Sequence, residues 1–151
     1  NLMQYAKHYG MTVVTLRPAS VLGEGTYMNH APSDFVKTLL RGEAIELFGG
    51  GGHEREWVWI DDIVDGFAWA VDFCESAPTG YFPFFLSANR ISMKDLAQKC
   101  IDHLGGAVKT AESTEQAFSL TCDTAETEKI LGWKAQFAID DIIKKLAEIF
   151  K

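Results

Sequence analysis

The sequence predicts an α/β fold, because segments with strand-like patterns alternate with segments of helical pattern along the chain. Thr12–Leu16 is a run of β-branched residues typical of a strand, whereas Ile139–Phe150 carries apolar residues at helical spacing. The 151 residues, 47% of them hydrophobic, are enough to bury one core. We therefore predict a single α/β domain over residues 1–151.

The first quarter of the chain is predicted to run helix, strand, loop, helix. Asn1–Tyr9 has a helical pattern, and Gly10 is suited to end it because glycine adopts the left-handed conformation without strain. Thr12–Leu16 then forms a buried strand. Arg17–Pro32 is predicted to be a long loop, and Ser33–Arg41 places its apolar residues at helical spacing.

The middle of the chain is predicted to contain three strands and one apolar helix. Ala44–Phe48 and Glu54–Ile60 have strand-like patterns, and the glycines between them predict a hairpin turn. Asp62 is predicted to cap the helix that follows. The apolar surface of that helix is wide, which predicts burial on more than one side. Tyr81–Leu86 is the third strand.

The last third of the chain is predicted to be mainly helical. Ser92-x-x-Asp95 resembles a capping box ahead of an amphipathic helix, and Asp123-x-x-Glu126 repeats the device ahead of a short one. The final helix has one apolar face, with acidic residues at its start and lysines toward its end, as the helix dipole favours.

Composition argues against several classes of partner. A net charge of −7 disfavours nucleic acid and anionic membranes. No apolar stretch approaches the roughly 20 residues needed to span a bilayer, and Asn1–Gly10 lacks the pattern of a signal peptide. Three cysteines without a CxxC pair fit a reducing compartment. We therefore predict a cytoplasmic protein.

Several catalytic and metal-binding motifs are absent from the sequence. It contains no HExxH, GxSxG or GxxxxGK[ST], and its four histidines lack zinc-ligand spacing. No GxGxxG follows a strand and opens a helix, and no tyrosine has a lysine four positions later. These 151 residues are thus predicted to hold no catalytic residue and no metal.

Five stretches, in order, resemble the second half of an extended short-chain dehydrogenase/reductase of the NAD-dependent epimerase/dehydratase type. In that family they correspond to the end of the catalytic helix with its following strand, "LRP-x-N-V-Y-G-P-G", "F-x-x-x-x-x-x-G-x-P-x-x-x-F/Y-G", "G-D-G-x-x-x-R-D-F/W-V-x-V-x-D" and "D-x-S-K-A-x-x-x-L-G-W-x-P". The matching stretches here are Tyr5–Arg17, Leu16–Gly25, Phe35–Phe48, Gly49–Ile63 and Asp123–Lys134.

The resemblance implies a partial Rossmann-like fold that binds substrate. In the family, an amino-terminal Rossmann half binds NAD or NADP and supplies a Tyr-x-x-x-Lys acid–base pair; the resemblance places that lysine just upstream of Asn1. This chain is therefore expected to be the substrate-binding half, inactive alone and without NAD or NADP of its own. Its expected partners are a small-molecule substrate, such as a nucleotide sugar, and the missing half or a second copy.

Arg55 is the predicted binder of substrate phosphate. In the family, the matching arginine follows the glycine turn, and a planar guanidinium can bind phosphate through two parallel hydrogen bonds. The alternative is an exposed strand arginine that pairs with a neighbouring carboxylate, namely Glu54, Glu56 or Asp61.

Four more residues are assigned by the resemblance. Pro18 and Val21 are expected near the nicotinamide, and Ser20 at the junction of cofactor and substrate; the alternative is a simple turn after a strand. Phe48 matches a position that flanks the nucleotide base, and the alternative is a core aromatic. Thr110–Leu120 lacks the arginine that nucleotide-sugar enzymes often carry there, which leaves a reductase-like pocket open.

A second class of function remains open at this stage. The chain can be a free-standing, non-catalytic α/β module that binds a ligand or associates with itself. Without a Rossmann half, apolar surface along Thr12–Leu16 and the first helix would be exposed, and such patches tend to be covered by a partner.

Overall fold

A computed structural model describes residues 1–26, 29–112 and 118–151. Helices and strands alternate, so the predicted α/β class is confirmed. The helices are α1 Leu2–Tyr9, α2 Ala31–Leu40, α3 Ile60–Ser76, α4 Met93–Leu104, α5 Ala125–Leu131 and α6 Ile139–Phe150. The strands are β1 Thr12–Pro18, β2 Ser20–Leu22, β3 Ile45–Phe48, β4 Glu54–Arg55, β5 Trp57–Trp59, β6 Gly80–Leu86, β7 Ile91–Ser92 and β8 Val108–Ala111.

The strands pair in a mixed arrangement. Three pairs are parallel, β1 with β6, β2 with β5 and β3 with β8, and one pair, β4 with β7, is antiparallel. Parallel pairing requires a long crossover connection, and the connection from β1 to its partner β6 includes α3. The longest ladder runs from Thr12 opposite Gly80 to Pro18 opposite Leu86.

The first helix agrees with the sequence prediction, and the loop after the first strand does not. Asn1 caps α1 by accepting a hydrogen bond from the Met3 amide at 3.1 Å, and Gly10 ends the helix at φ 64°. The predicted loop over residues 17–32 is wrong at both ends, since β1 reaches Pro18 and α2 starts at Ala31. The segment predicted to be a loop also contains strand β2. Its partner β5 is distant in sequence, so a local pattern could not reveal that these residues form a strand.

The glycine run is not a hairpin turn. β3 and β4 on either side of it do not pair with each other, because β3 pairs with β8 and β4 with β7. Gly49–Gly51 forms a 3-10 turn with positive φ at each glycine. Gly51 is buried so close to α4 that a Cβ there would lie 3.1 Å from the Lys94 amide nitrogen.

Asp62 is not the cap of α3, contrary to prediction. Trp59 occupies the capping position, and Asp62 lies inside the first turn with only 1% of its surface exposed. Its carboxylate accepts hydrogen bonds from the Gln136 amide at 2.7 Å and the Phe137 amide at 3.4 Å. The indole of Trp133 donates to its carbonyl at 2.8 Å. Asp62 therefore joins α3 to the segment that precedes α6.

Helix α3 is buried on one side only, so the predicted burial on more than one side is wrong. Ile63, Gly66 and Ala70 face the core. The opposite face exposes four large apolar side chains, Val64, Phe67, Trp69 and Val71. Strand β1 is likewise half-buried along Thr12–Leu16 instead of fully buried. The wide apolar surface of α3 led to the prediction that other elements bury it on several sides. Among the described residues, no element packs against its exposed face.

Two apolar clusters hold the elements together. The larger one joins α2, α4 and α6 around Val36, Leu96 and Ile142. The smaller one joins α3 to the β1/β6 ladder around Phe84, Leu86 and Trp133. Gly66 permits the close approach of α3 to β6, since a Cβ there would lie 2.6 Å from Leu86 Cδ1.

Of the two predicted capping boxes, only the serine cap of α4 forms, because the Asp95 carboxylate accepts a hydrogen bond from the Ser92 hydroxyl and not from its amide. Ser92 accepts a hydrogen bond from the Asp95 amide at 3.0 Å, as a capping serine should. Thr124 instead of Asp123 precedes α5, and Asp123 accepts from the Ala125 amide at 2.9 Å. In the described part of the chain, no helix has the length and apolar character of a membrane span. Within the same residues no group of histidines, cysteines and carboxylates is placed to hold a metal.

Candidate functional site

A cavity of about 790 Å³ opens where β1 ends and β2 begins. Four of the five residues predicted from the sequence line it: Pro18, Ser20, Val21 and Arg55. The other described residues around it are mostly small or apolar, with two carboxylates among them: Ala19, Gly23, Glu24, Gly25, Thr26, His30, Glu56, Ile60, Leu120, Thr121 and Cys122.

Strand register brings the two distant parts of this cavity together. The β1/β6 ladder ends at Pro18 opposite Leu86, and the Ala19 amide donates to the Leu86 carbonyl at 2.9 Å. Ser20 then pairs with Trp57. Arg55 lies two residues before Trp57, so it lies beside the carboxyl end of β1. Ligand sites in open α/β sheets lie at such strand ends.

The guanidinium of Arg55 is oriented by backbone carbonyls. Its Nη1 donates to the Glu54 carbonyl at 3.0 Å and to the Phe118 carbonyl, and Cζ lies 5.2 Å from the centroid of the Phe118 ring. No described carboxylate lies within ion-pair distance, and Glu54 pairs with Arg90 instead. The alternative of a surface ion pair is therefore wrong for these residues. No described residue accepts a hydrogen bond from Nε or Nη2, which leaves one edge for an anion.

Glu56 ties three segments of the cavity wall together, and sequence reasoning missed this role. Its Oε2 accepts a hydrogen bond from Ser87 Oγ at 2.7 Å and another from the Cys122 amide at 2.9 Å. The three residues are far apart in sequence, so no local pattern could reveal the contact. The only sequence signal was the position of Glu56 directly after Arg55.

The same carboxylate affects the thiol of Cys122. Burial, then the negative charge of Glu56, raises the pKa of Cys122 above its ordinary value. A raised pKa means less thiolate near neutral pH and therefore slower alkylation. Cys122 is partly exposed, whereas Cys74 is exposed and Cys100 is buried.

Glu56→Gln is expected to speed alkylation of Cys122 several-fold at pH 8, because removal of the charge lets the thiol ionise more readily. Iodoacetamide labelling followed by peptide mass spectrometry measures the rate. Cys74 in the same sample provides the control and should label at an unchanged rate. An unchanged rate at Cys122 would contradict the contact.

Phe48 lies apart from the other predicted residues. It lines a second cavity of about 410 Å³ with Phe35, Leu47, His53 and other residues of α2 and β3. It is 59% exposed, so the alternative of a core aromatic is wrong. Asn29–Ala31 stands between the cavities, since His30 lines the first and its two neighbours line the second.

His53 directly precedes β4, the strand that contains Arg55, and it lines the second cavity. Burial, then the positive charge of Arg55, lowers the pKa of His53 below its ordinary value. The arrangement can bind an anion at Arg55 and an apolar ring beside Phe48. The first cavity offers Ser20 as a hydroxyl partner among apolar neighbours.

A family model described as the NAD dependent epimerase/dehydratase family matches residues 2–81. UDP-glucose 4-epimerase of Mycolicibacterium smegmatis is 25% identical over 99% of this chain and 49% of its own length. UDP-glucuronate 4-epimerase of Thermodesulfobacterium geofontis is 23% identical over 95% of this chain and 45% of its own length.

The fold has counterparts among solved structures. The UDP-glucose 4-epimerase of Thermotoga maritima, crystallised with UDP-glucose, superposes with a TM-score of 0.81 at 22% identity, over 99% of this chain and 49% of that one. This likeness concerns the fold. The chain spans about half the length of the curated relatives and the structure that it matches.

Proposed function

Since the chain belongs to the NAD dependent epimerase/dehydratase family, we propose that its 151 residues form one domain, the substrate-binding half of a nucleotide-sugar epimerase, dehydratase or reductase. One observation carries the proposal. Arg55 and the segment from Pro18 to Val21 come from distant parts of the chain, yet they line one cavity. That is the geometry expected of a cleft between phosphate and reacting sugar.

Each residue takes a specific part in this proposal. The free edge of Arg55 binds a phosphate of the nucleotide through two hydrogen bonds. Ser20 contacts the sugar where it meets the cofactor. Phe48, in the neighbouring cavity, packs against the base, and its exposed ring is available for that contact.

The cofactor would meet this half at the apolar end of the cavity. NAD or NADP supplies hydride transfer to or from the substrate when bound. Pro18, Val21 and Ile60 present an apolar surface that fits one face of a nicotinamide ring. The Tyr-x-x-x-Lys pair and the glycine fingerprint are not among the 151 residues, so we propose that another polypeptide segment supplies them and that this chain alone is inactive.

UDP-glucose is expected to slow the alkylation of Cys122 but not of Cys74 if it occupies the cavity. Cys122 lines the cavity, and Cys74 lies on α3 away from it. The ratio of the two labelling rates, measured by peptide mass spectrometry at millimolar ligand, gives the result. Equal rates with and without ligand would overturn the proposal. All three cysteines are free, which supports the proposed cytoplasmic location.

A second test of the proposed function measures the binding of NAD and NADP to this chain. The chain alone is expected to bind neither, because the phosphate-binding fingerprint is absent from its sequence. Calorimetry that detected micromolar binding of either cofactor would show that the cofactor site has been placed in the wrong half.

A second candidate, a self-associating module, is favoured by one observation. Helix α1 exposes Leu2, Met3, Tyr5 and Tyr9. Helix α3 exposes a further apolar face, which together with β1 lines a groove of about 480 Å³. Surfaces of this kind are usually covered by a partner. Light scattering separates the candidates, because a monodisperse oligomer supports the self-associating module and a monomer argues against it.

A further inference from the structure

We propose that Phe118 is a positioning residue for Arg55, whose carbonyl and ring together hold the guanidinium in the orientation that receives a phosphate. The inference rests on the proposed function, in which Arg55 binds a phosphate of the nucleotide, and it adds the residue that prepares Arg55 for that contact. Phe118 is not among the described residues that line the cavity. It therefore acts through the arginine and not on the ligand.

Phe118 contacts the guanidinium of Arg55 in two ways. Its carbonyl accepts a hydrogen bond from Nη1. The centroid of its ring lies 5.2 Å from Cζ, within the range of about 6 Å over which an aromatic ring attracts a cation. Nη1 also donates to the Glu54 carbonyl at 3.0 Å. Two hydrogen bonds thus hold one end of the planar group while the ring lies against it, which restricts the direction of the Nε and Nη2 edge.

The exposure of Phe118 distinguishes this contact from ordinary packing. The ring is 63% exposed, and neither of the two apolar clusters includes it. In the other cation–aromatic contacts of the described residues, the rings are buried or half-buried, namely those of Trp59, Phe85, Phe137 and Phe150. Phe118 contributes little to the core, so its contact with Arg55 is not a by-product of core packing.

The segment that begins with Phe118 is fixed to β4 and to the residue after it. The Glu54 amide donates to Ser119 Oγ at 3.0 Å, and the Cys122 amide donates to Glu56 Oε2 at 2.9 Å. Together with the bond from Nη1, three consecutive residues, 54 to 56, each bind residues 118–122. These bonds hold the aromatic ring beside the arginine, although the two residues are 63 positions apart in the sequence.

The physical consequence is a smaller entropy cost of phosphate binding. A long arginine side chain loses rotamer freedom when it binds an anion, and this loss lowers the affinity. Arg55 has lost part of that freedom before any ligand arrives, because Phe118 already restrains it. Removal of the ring should therefore weaken phosphate binding without the loss of any contact to the ligand.

Phe118→Ala in the full 151-residue chain is expected to weaken UDP-glucose binding about two- to tenfold, with Kd measured by NMR titration. Phe118→Tyr keeps the face of the ring and should stay within about twofold of wild type. Phe118→Leu is apolar but has no aromatic face, so it should resemble Phe118→Ala. Ile130→Ala removes an exposed apolar side chain on α5, away from the cavity, and should leave Kd unchanged.

Two further measurements show whether Phe118 acts through Arg55. In an Arg55→Ala background, Phe118→Ala should change Kd very little, because the residue that transmits its effect is absent. The rotation of the Arg55 guanidinium about the Nε–Cζ bond, measured by NMR without ligand, should be faster in Phe118→Ala than in wild type.

The outcomes separate this inference from the proposed function. If Phe118→Ala weakens binding equally with and without Arg55, the ring contacts the ligand directly and the inference is overturned, while the nucleotide-sugar site stands. Unchanged affinity or unchanged guanidinium rotation in Phe118→Ala also overturns the inference. If UDP-glucose does not bind the wild-type chain, the proposed function itself fails, and the rotation measurement still tests the contact between the two residues.

Discussion

Arg55→Ala is expected to weaken UDP-glucose binding by about 10- to 100-fold, the loss that follows removal of a charge-assisted, two-point contact to phosphate. The guanidinium lines the cavity, and its Nε and Nη2 have no acceptor among the described residues. Arg55→Lys should lie between wild type and Arg55→Ala, because lysine keeps the charge but not the planar fork. NMR titration measures all three dissociation constants.

Arg90 provides the matched control for this experiment. It lies one residue before β7, pairs with Glu54 and does not line the cavity. Arg90→Ala should therefore change the dissociation constant by no more than about twofold, the effect of a solvent-screened surface charge that does not contact the ligand. Equal weakening by Arg55→Ala and Arg90→Ala would show that Arg55 acts only through the general field of the protein.

Asp62→Ala is expected to lower the free energy of unfolding by about 1–3 kcal/mol, since it removes a buried carboxylate and leaves the part-buried amides of Gln136 and Phe137 without their acceptor. Asp62→Asn should cost less, because its side-chain oxygen can still accept from Gln136. Chemical denaturation measures both variants. Asp65→Ala changes an exposed carboxylate one turn along the same helix and should stay within about 0.5 kcal/mol of wild type.

The same residue gives the unfolding free energy a defined pH dependence. Burial, opposed by the hydrogen bonds from Gln136 and Phe137, raises the pKa of Asp62 in the folded protein. The folded state then holds the proton more tightly than the unfolded chain, whose aspartate pKa is about 3.9. The contribution of Asp62 to stability is therefore fully present below that value and is lost as pH rises through the folded pKa.

Asp62→Asn lacks this titration, so stability measured against pH isolates it. The variant should gain on wild type as pH increases above about 4 and stay at a constant difference once Asp62 is fully ionised. A difference that changes in the opposite direction would show that the hydrogen bonds outweigh burial and lower the pKa of this group.

Local patterns were sufficient where a residue's role depends on its near neighbours in sequence. Gly10 ends α1 and Ser92 caps α4 as predicted, because both contacts lie within one helical turn. They were insufficient where the partner is distant. Asp62 has the local pattern of a helix cap, yet it binds amides 74 and 75 residues away. The glycine run has the pattern of a hairpin, yet the strands beside it pair elsewhere.

The candidate site was predicted in part. The family resemblance selected Pro18, Ser20, Val21 and Arg55, and the structure places all four around one cavity; their binding roles remain predictions. Phe48 came from the same resemblance but lies in the adjacent cavity. Glu56 went unrecognised, because its hydrogen-bond donors Ser87 and Cys122 are 31 and 66 positions away in the sequence.

Periodicity, caps and motif order are properties of short segments, so they were sufficient to predict the α/β class, the family and the order of most helices. The pairing of the strands, the exposed face of α3 and the charges that share the cavity with Arg55 became known only from the three-dimensional structure. The physical reason is that hydrogen-bond partners, burial and electrostatic neighbours are set by proximity in space, and parallel strand pairing brings together residues that no short segment contains.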